Sequence, residues 1–292
     1  VSGPARAELG ILGGSGLYAL AGLEGAREID VDTPFGRPSD RLVVGRLEGR
    51  DVVFLARHGR GHTIPPGEIP YRANVYALKS LGVERILSAS AVGSMKVEFR
   101  PEDVVIPDQF LDLTRGRPST FFGNGIVAHV SMADPTCREV RAALAAGVRT
   151  AGGAAHEGGT YLCIEGPAFS TRAESLLYRS WGVDVIGMTN ATESRLAREA
   201  EICYGSLALV TDYDCWHEEE AAVSVEMLLG HLRANARLAA EALRAACAAL
   251  PPRGAGCGCG RALEAAIVTA RHAIPPEART RLAAILRRPL ED

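Results

Sequence analysis

The chain has 292 residues, of which 47% are hydrophobic and 23% charged, and its 32 Lys plus Arg against 35 Asp plus Glu leave a net charge of −3. That balance gives no argument for a nucleic-acid or anionic-membrane surface, and no apolar run approaches the ~20 residues of a membrane span. Val1 to Ala7 show no signal-peptide pattern, so the expectation is a soluble cytoplasmic protein without nucleic-acid or membrane partners.

In chain order, Leu9 to Leu17 reads as a short apolar strand running into glycines around one hydroxyl, Ser15. Converging backbone N–H groups there suit an anion, although the spacing is neither a dinucleotide nor a nucleotide-phosphate fingerprint, and a plain turn is the alternative. Arg41 to Leu47 and Asp51 to Ala56 read as two strands ending in Arg57-His-Gly-Arg-Gly-His62, which is either an anion site or a solvated basic loop. Tyr71 to Leu81 follows as a helix stopped by Gly82.

Arg85 to Ser94 is a strand whose end is rich in hydroxyls and glycine, and Val104 to Pro107 is a shorter one. Ser119 to Val130 reads as loop, and Arg138 to Ala151 as an alanine-rich helix. Thr160 to Glu165 is a strand, after which Thr171 and Glu174 have capping-box spacing and open a helix toward Trp181, leaving Phe169 and Ser170 just outside the cap. Asp184 to Gly187 is a strand followed by Met188-Thr189 and a helix through Ala200.

Leu207 to Val210 reads as a buried strand that presents Asp212 and Asp214, flanked by Tyr213 and Trp216. Such a pair either caps a helix or sits where α/β sheets bind ligands, at the C-terminal strand ends. Ser224 opens a long amphipathic helix that stops before Pro251, and Ala262 to Ala270 and Pro276 to Leu290 read as tail helices. The expected division is a catalytic domain over 1–252, with a Gly/Cys connector and helical tail over 253–292 packed on it. Strands and helices alternate throughout, which indicates α/β.

Seven cysteines are present, with Cys257-Gly-Cys259 as the only close pair. No Cys-x-x-Cys occurs and no nearby His completes a zinc pattern, so no metal site is expected.

Seven segments in colinear order, ILGGSGL, VDTPFGRPSD, LARHGRGHTIPP, SASAVGS, IEGPAFSTRAES, GMTNATE and ICYGSLALVTDYDCW, resemble the purine nucleoside phosphorylase superfamily in its 5'-methylthioadenosine phosphorylase branch, over roughly residues 8–250. The resemblance implies a single-domain fold with a central mixed β-sheet, a distorted barrel, flanked by helices. It implies a pentosyltransferase that uses inorganic phosphate as co-substrate, needs no cofactor, and assembles as a homotrimer or hexamer.

By resemblance, Ser15, Arg57, His58, Ser90, the Ala91 backbone and Thr189 form a phosphate site, and Met188 packs beneath the ribose. Phe169 and Ser170 wall the purine, and Asp212 and Asp214 read its N7 and 6-amino edge. Val225, with His129 from a neighbouring subunit, lines the pocket for the 5'-methylthio group. Asp212 is the expected proton partner of the leaving base, with a pKa raised by burial. Two aspartates favour a 6-amino purine; a 6-oxopurine or methylthioinosine phosphorylase, a hydrolytic nucleosidase and a non-catalytic nucleoside-binding protein are the competing readings.

The chain departs from the family where Asn190-Ala191-Thr192 replaces its usual Val-Pro segment, and Thr192 is expected to cap the helix instead. The cysteine pair resembles that of hyperthermophilic archaeal members, which implies a disulfide at Cys257–Cys259, and a pairing of Cys137 with Cys203 is expected beside it.

Overall fold

The computed structural model describes residues 6–14, 17, 22–217, 225–252 and 256–291, without the side chains of 225–229 and 291. Ser15 and the Val225 side chain therefore lie outside the described residues. Among the described residues, no helix is long and apolar enough to cross a membrane.

A mixed sheet of eleven strands organises the chain: β1 (Leu9–Gly13), β2 (Glu24–Ile29), β3 (Leu42–Leu47), β4 (Arg50–Ala56), β5 (Arg85–Ser94), β6 (Val104–Ile106), β7 (Gln109–Asp112), β8 (Ala155–Glu157), β9 (Thr160–Cys163), β10 (Val185–Gly187) and β11 (Cys203–Tyr213). The helices are α1 (Tyr71–Ser80), α2 (Arg138–Thr150), α3 (Arg172–Ser180), α4 (Asn190–Glu199), α5 (Val225–Ala249), α6 (Pro276–Arg281) and α7 (Ala283–Glu291).

Strand β5 is the hub. Along one edge it pairs in parallel with β11 from Arg85↔Cys203 to Ser94↔Tyr213, with a bulge between Val210 and Asp212. On its other edge it pairs first with β1, in parallel through Leu12↔Ser88, and then with β10, antiparallel through Val185↔Ser94 and Ile186↔Gly93. β1 and β4 are also parallel, so the C-terminal ends of β1, β4, β5 and β11 share one side of the sheet. Because β10 runs the opposite way, its C-terminal end comes back toward the middle of β5. This exchange of partners along one strand splays the sheet and brings the polar ends of β4, β5, β10 and β11 together.

Apolar residues from both faces of the strands fill two main cores. One packs α1, α4 and the tail around Val53, Leu78, Ile86, Leu196, Leu263 and Leu286. The other packs α2 and α5 around Ile11, Leu87, Leu144, Leu207 and Leu243. The tail thus contributes fully buried side chains, Leu282 among them.

Most long elements form where their periodicity predicts them. Two expectations change. Ala262 to Ala270 is a run of turns with a bridge from Ala128 to Ile267, and Pro276 to Leu290 breaks into α6 and α7 at Leu282. The first needs no helix because its backbone pairs with the loop, as in His129 N–H to Ala266 O at 2.8 Å. Strands β2, β7 and β8 have no recognisable pattern: β2 is almost entirely exposed, and β7 and β8 are four and three residues long.

Candidate active site

At the C-terminal ends of these strands lies a cavity of about 610 Å³, within the range of small-molecule sites. Arg57, His58, Ser90, Ala91 and Thr189 line it, as do Met188, Phe169, Ser170, Asp212 and Asp214. Ten of the sequence-chosen residues therefore share one space. His129 is exposed and is not part of this lining.

The acidic end is built by β11 and α3. Thr171 and Glu174 close the expected capping box: Thr171 Oγ1 accepts from Glu174 N–H at 3.2 Å, and Glu174 Oε2 accepts from Thr171 N–H at 2.7 Å. That fixes the start of α3, and Ser175 in its first turn donates from Oγ to Asp214 Oδ2. Asp214 is 8% exposed, and burial raises its pKa against the lowering effect of the Ser175 and Cys215 hydrogen bonds.

Asp212 Oδ2 accepts from Thr211 Oγ1 at 2.6 Å. Gly93 lies under both acids: a Cβ there would stand 3.3 Å from Asp212 Oδ1 and 3.4 Å from Asp214 Cβ. The strand end after them is held by Trp216, whose Nε1–H donates to Ser94 O at 2.8 Å beneath the Arg179 guanidinium. Phe169, at the lip, is 77% exposed.

The opposite end differs from expectation in one respect. Arg57 is fully buried, and Nε and Nη2 both donate to Glu193; Nη2 also reaches Ser88 Oγ at 2.6 Å and Nη1 reaches Ala89 O at 3.0 Å. Burial works against its charge, but the Glu193 carboxylate outweighs that and holds the guanidinium pKa above normal. The guanidinium fork expected to grip phosphate is therefore taken by Glu193. Four of its five N–H bonds have protein partners, leaving one on Nη1. Gly14 makes the approach to this group possible, since a Cβ there would sit 2.8 Å from Nη1.

His58 Nδ1 lies 2.8 Å from Ile64 O, so that nitrogen carries the hydrogen. Burial first, then the Arg57 charge, lowers its pKa to about 4. At neutral pH the ring is uncharged and Nε2 is an acceptor, suited to a hydroxyl of a hydrogen phosphate ion rather than to a bare oxygen. It stacks on His62 at 4.3 Å between ring centroids.

Ser90 Oγ and Ser170 Oγ are buried without a hydrogen-bond partner, and the Tyr161 hydroxyl near Ser90 is likewise unpartnered. Buried hydroxyls normally have partners, and two orphans lining one cavity fit a site that a polar ligand completes.

Thr189 Oγ1 donates to Asn190 Oδ1 at 2.9 Å, so it must turn from Asn190 to donate to a ligand. Thr189, not Thr192, occupies the N-cap of α4, and it makes no capping bond. Thr192 falls inside the helix with its hydroxyl unpartnered, because Asn190 already has helical geometry.

Two supporting residues escaped sequence reasoning. Glu193 accepts from Arg57, from Ser88 Oγ at 2.9 Å and from Tyr204 OH at 2.8 Å. Arg117, also buried, donates to Met188 O at 2.6 Å and to Glu165 Oε1 at 2.7 Å, fixing the backbone beneath the cavity. Glu193 ends the GMTNATE segment and Arg117 follows β7, and only the fold shows that each is buried against an opposite charge.

The family model described as "Phosphorylase superfamily" matches residues 8–248. The chain belongs to the phosphorylase superfamily. Within it, the chain is 53% identical over 285 residues to the S-methyl-5'-thioadenosine phosphorylase of Gloeobacter violaceus, covering 96% of this chain and 95% of that one. A methylthioadenosine phosphorylase from an antarctic soil metagenomic library superposes with a TM-score of 0.92 at 51% identity, covering 96% of this chain and 99% of the other. A variant adenosine/methylthioadenosine phosphorylase from Schistosoma mansoni, solved with methylthioadenosine, gives 0.79 at 38% identity, with 85% and 93% covered.

None of the seven cysteines forms a disulfide. The expected pairings Cys257–Cys259 and Cys137–Cys203 are not made; instead the four sulfurs gather in one cluster, all within 4.8 Å of one another.

Proposed function

We propose that this phosphorylase cleaves 5'-deoxy-5'-methylthioadenosine with inorganic phosphate, giving adenine and 5-methylthioribose 1-phosphate. The observation that carries the reading is a single cavity with hydroxyl, imidazole and guanidinium groups at one end and two aspartates at the other. The names of relatives that match nearly the whole chain support the same substrate.

Phosphate binds at the strand ends of β4, β5 and β10. The remaining Arg57 N–H, the Ser90 hydroxyl, the Ala91 backbone and Thr189 surround it, and His58 Nε2 accepts its proton-bearing oxygen. Holding the nucleophile against C1' converts an encounter into an oriented attack. As the C1'–N9 bond breaks, negative charge moves onto the purine. Asp212 shares a proton with N7, a role typically worth on the order of 10²–10⁴ in rate. Asp214, fixed by Ser175, accepts from the 6-amino group. Met188 packs under the ribose, and Phe169 and Ser170 flank the base.

Phosphate is the co-substrate, and the scheme calls on no cofactor. The exposed apolar side chains of α3 and its C-cap, Leu176, Leu177 and Trp181, at about half exposure each, fit burial in a homo-oligomer, with His129 and Val225 completing the 5' pocket.

The test is a substrate panel. Asp214→Asn replaces an acceptor with a group that donates to a 6-oxo base. The ratio of kcat/KM for inosine over adenosine is expected to rise at least tenfold. An unchanged ratio would remove Asp214 from the base site.

A further inference from the structure

Cys137, Cys203, Cys257 and Cys259 come from three separate parts of the chain: the N-cap of α2, the first residue of β11 and the segment before the tail. All four sulfurs lie within 4.8 Å of one another, and Cys203 and Cys257 are 3.4 Å apart. A zinc ion bound by four thiolates at about 2.3 Å places the sulfurs about 3.8 Å apart at the corners of a tetrahedron. Neutral thiols packed as small hydrophobes have no need of such mutual proximity.

The surroundings favour charge on sulfur. Arg198 Nη1 points at Cys259 Sγ from 3.8 Å. Cys137 stands at the N-cap of α2, where the positive end of the helix dipole stabilises a thiolate. Cys137, Cys203 and Cys259 are buried and Cys257 is half-buried, which leaves a route for an ion from that side.

We propose that these four cysteines form a tetrahedral structural zinc site. Binding removes one proton from each thiol, forms four Zn–S bonds and releases four protons to solvent; the doubly negative cluster is offset by Arg198 and the α2 N-terminus. No oxidant is involved.

Its place in the fold gives it a purpose. Cys203 starts β11 and Asp212 lies nine residues on, about 30 Å away at ~3.3 Å per residue, so the ion is remote from the cavity. It fastens the segment 256–261 to the sheet and to α2. From that segment the chain continues into Leu263 and Ala266, which pack into the core and pair with the His129 loop.

The test uses the full-length chain purified under a thiol reductant. Elemental analysis is expected to find one zinc per chain. After removal of metal under reducing, anaerobic conditions, cobalt(II) is expected to bind one-to-one with the thiolate-to-cobalt charge-transfer bands of a tetrahedral four-sulfur site. Cys257→Ser, at the half-buried position, is expected to weaken cobalt binding and its charge transfer, and Cys247→Ala, outside the cluster, to leave both unchanged. Less than a tenth of a zinc per chain together with no charge-transfer band would overturn the proposal. So would three titratable thiols in the denatured, unreduced protein, since that count means two disulfides have taken the four sulfurs.

Discussion

Glu193→Gln isolates the buried pair behind the anion end of the cavity. Glu193 takes four hydrogen bonds on two oxygens: Oε1 from Arg57 Nε, and Oε2 from Arg57 Nη2, Ser88 and Tyr204. An amide has one acceptor oxygen. Whichever way it is turned, its NH₂ meets an N–H of the guanidinium. At least one charge-assisted bond, worth about 1.5–3 kcal/mol, is lost, and the Arg57 charge is left without a counter-charge. Breaking one side of a buried pair costs about 3–5 kcal/mol, and that is the destabilisation expected in urea unfolding of the variant. The unbalanced charge lies beside the cavity, so millimolar phosphate should raise the melting temperature of the variant more than that of the parent. A variant within about 1 kcal/mol of the parent, with the same response to phosphate, would refute the assignment of Glu193 as the partner that holds Arg57.

Two further outcomes follow from the geometry. Burial raises Glu199 to about 7, against the hydrogen bonds it accepts from Phe121 N–H and Thr120 Oγ1, so in the folded state it keeps its proton where the unfolded chain has lost it. Its contribution to stability is therefore complete below about 4.5 and lost as pH rises through about 7. Glu199→Gln keeps an acceptor for Phe121 and a donor for Thr120 without titrating, so its stability relative to the parent should improve by about 3 kcal/mol between those limits in denaturant titrations at each pH; a constant difference would contradict the assignment. Gly93→Ala adds a methyl 3.1 Å from Ile186 and 3.3 Å from Asp212 Oδ1. Stability should fall by only about 1–3 kcal/mol, while kcat drops about a hundredfold because both acids move; a kcat within twofold would show that their placement tolerates the shift.

Long periodic elements were legible in the sequence because each obeys a local rule. The Thr171–Glu174 capping box, the apolar run into Asp212 and the glycine stop after α1 are contained within a few residues. Candidate site residues were legible in the same way, because polar groups at strand ends announce themselves and a family resemblance orders them. What was not legible depends on contacts distant in the chain. Arg57 reads as a free phosphate clamp until Glu193, 136 residues away, is seen to occupy it. The raised carboxyl of Asp214 is likewise illegible, because Ser175 and the packing of α3, distant in the chain, bury it. The gathering of Cys137, Cys203 and the Cys257-Gly-Cys259 pair leaves no spacing pattern in the sequence, because three chain segments have to converge before the four sulfurs meet. Strand β2 shows no alternation because it is exposed on an edge, where hydrogen bonding rather than burial defines it.

The most direct measurement of the central claim is the release of adenine from methylthioadenosine with and without phosphate, with the sugar product identified by phosphorus NMR. The account predicts adenine and a sugar 1-phosphate in equal amounts, formed only when phosphate is present, and turnover lost in Asp212→Ala. Adenine released at the same rate into phosphate-free buffer, with free methylthioribose as its partner, would contradict it.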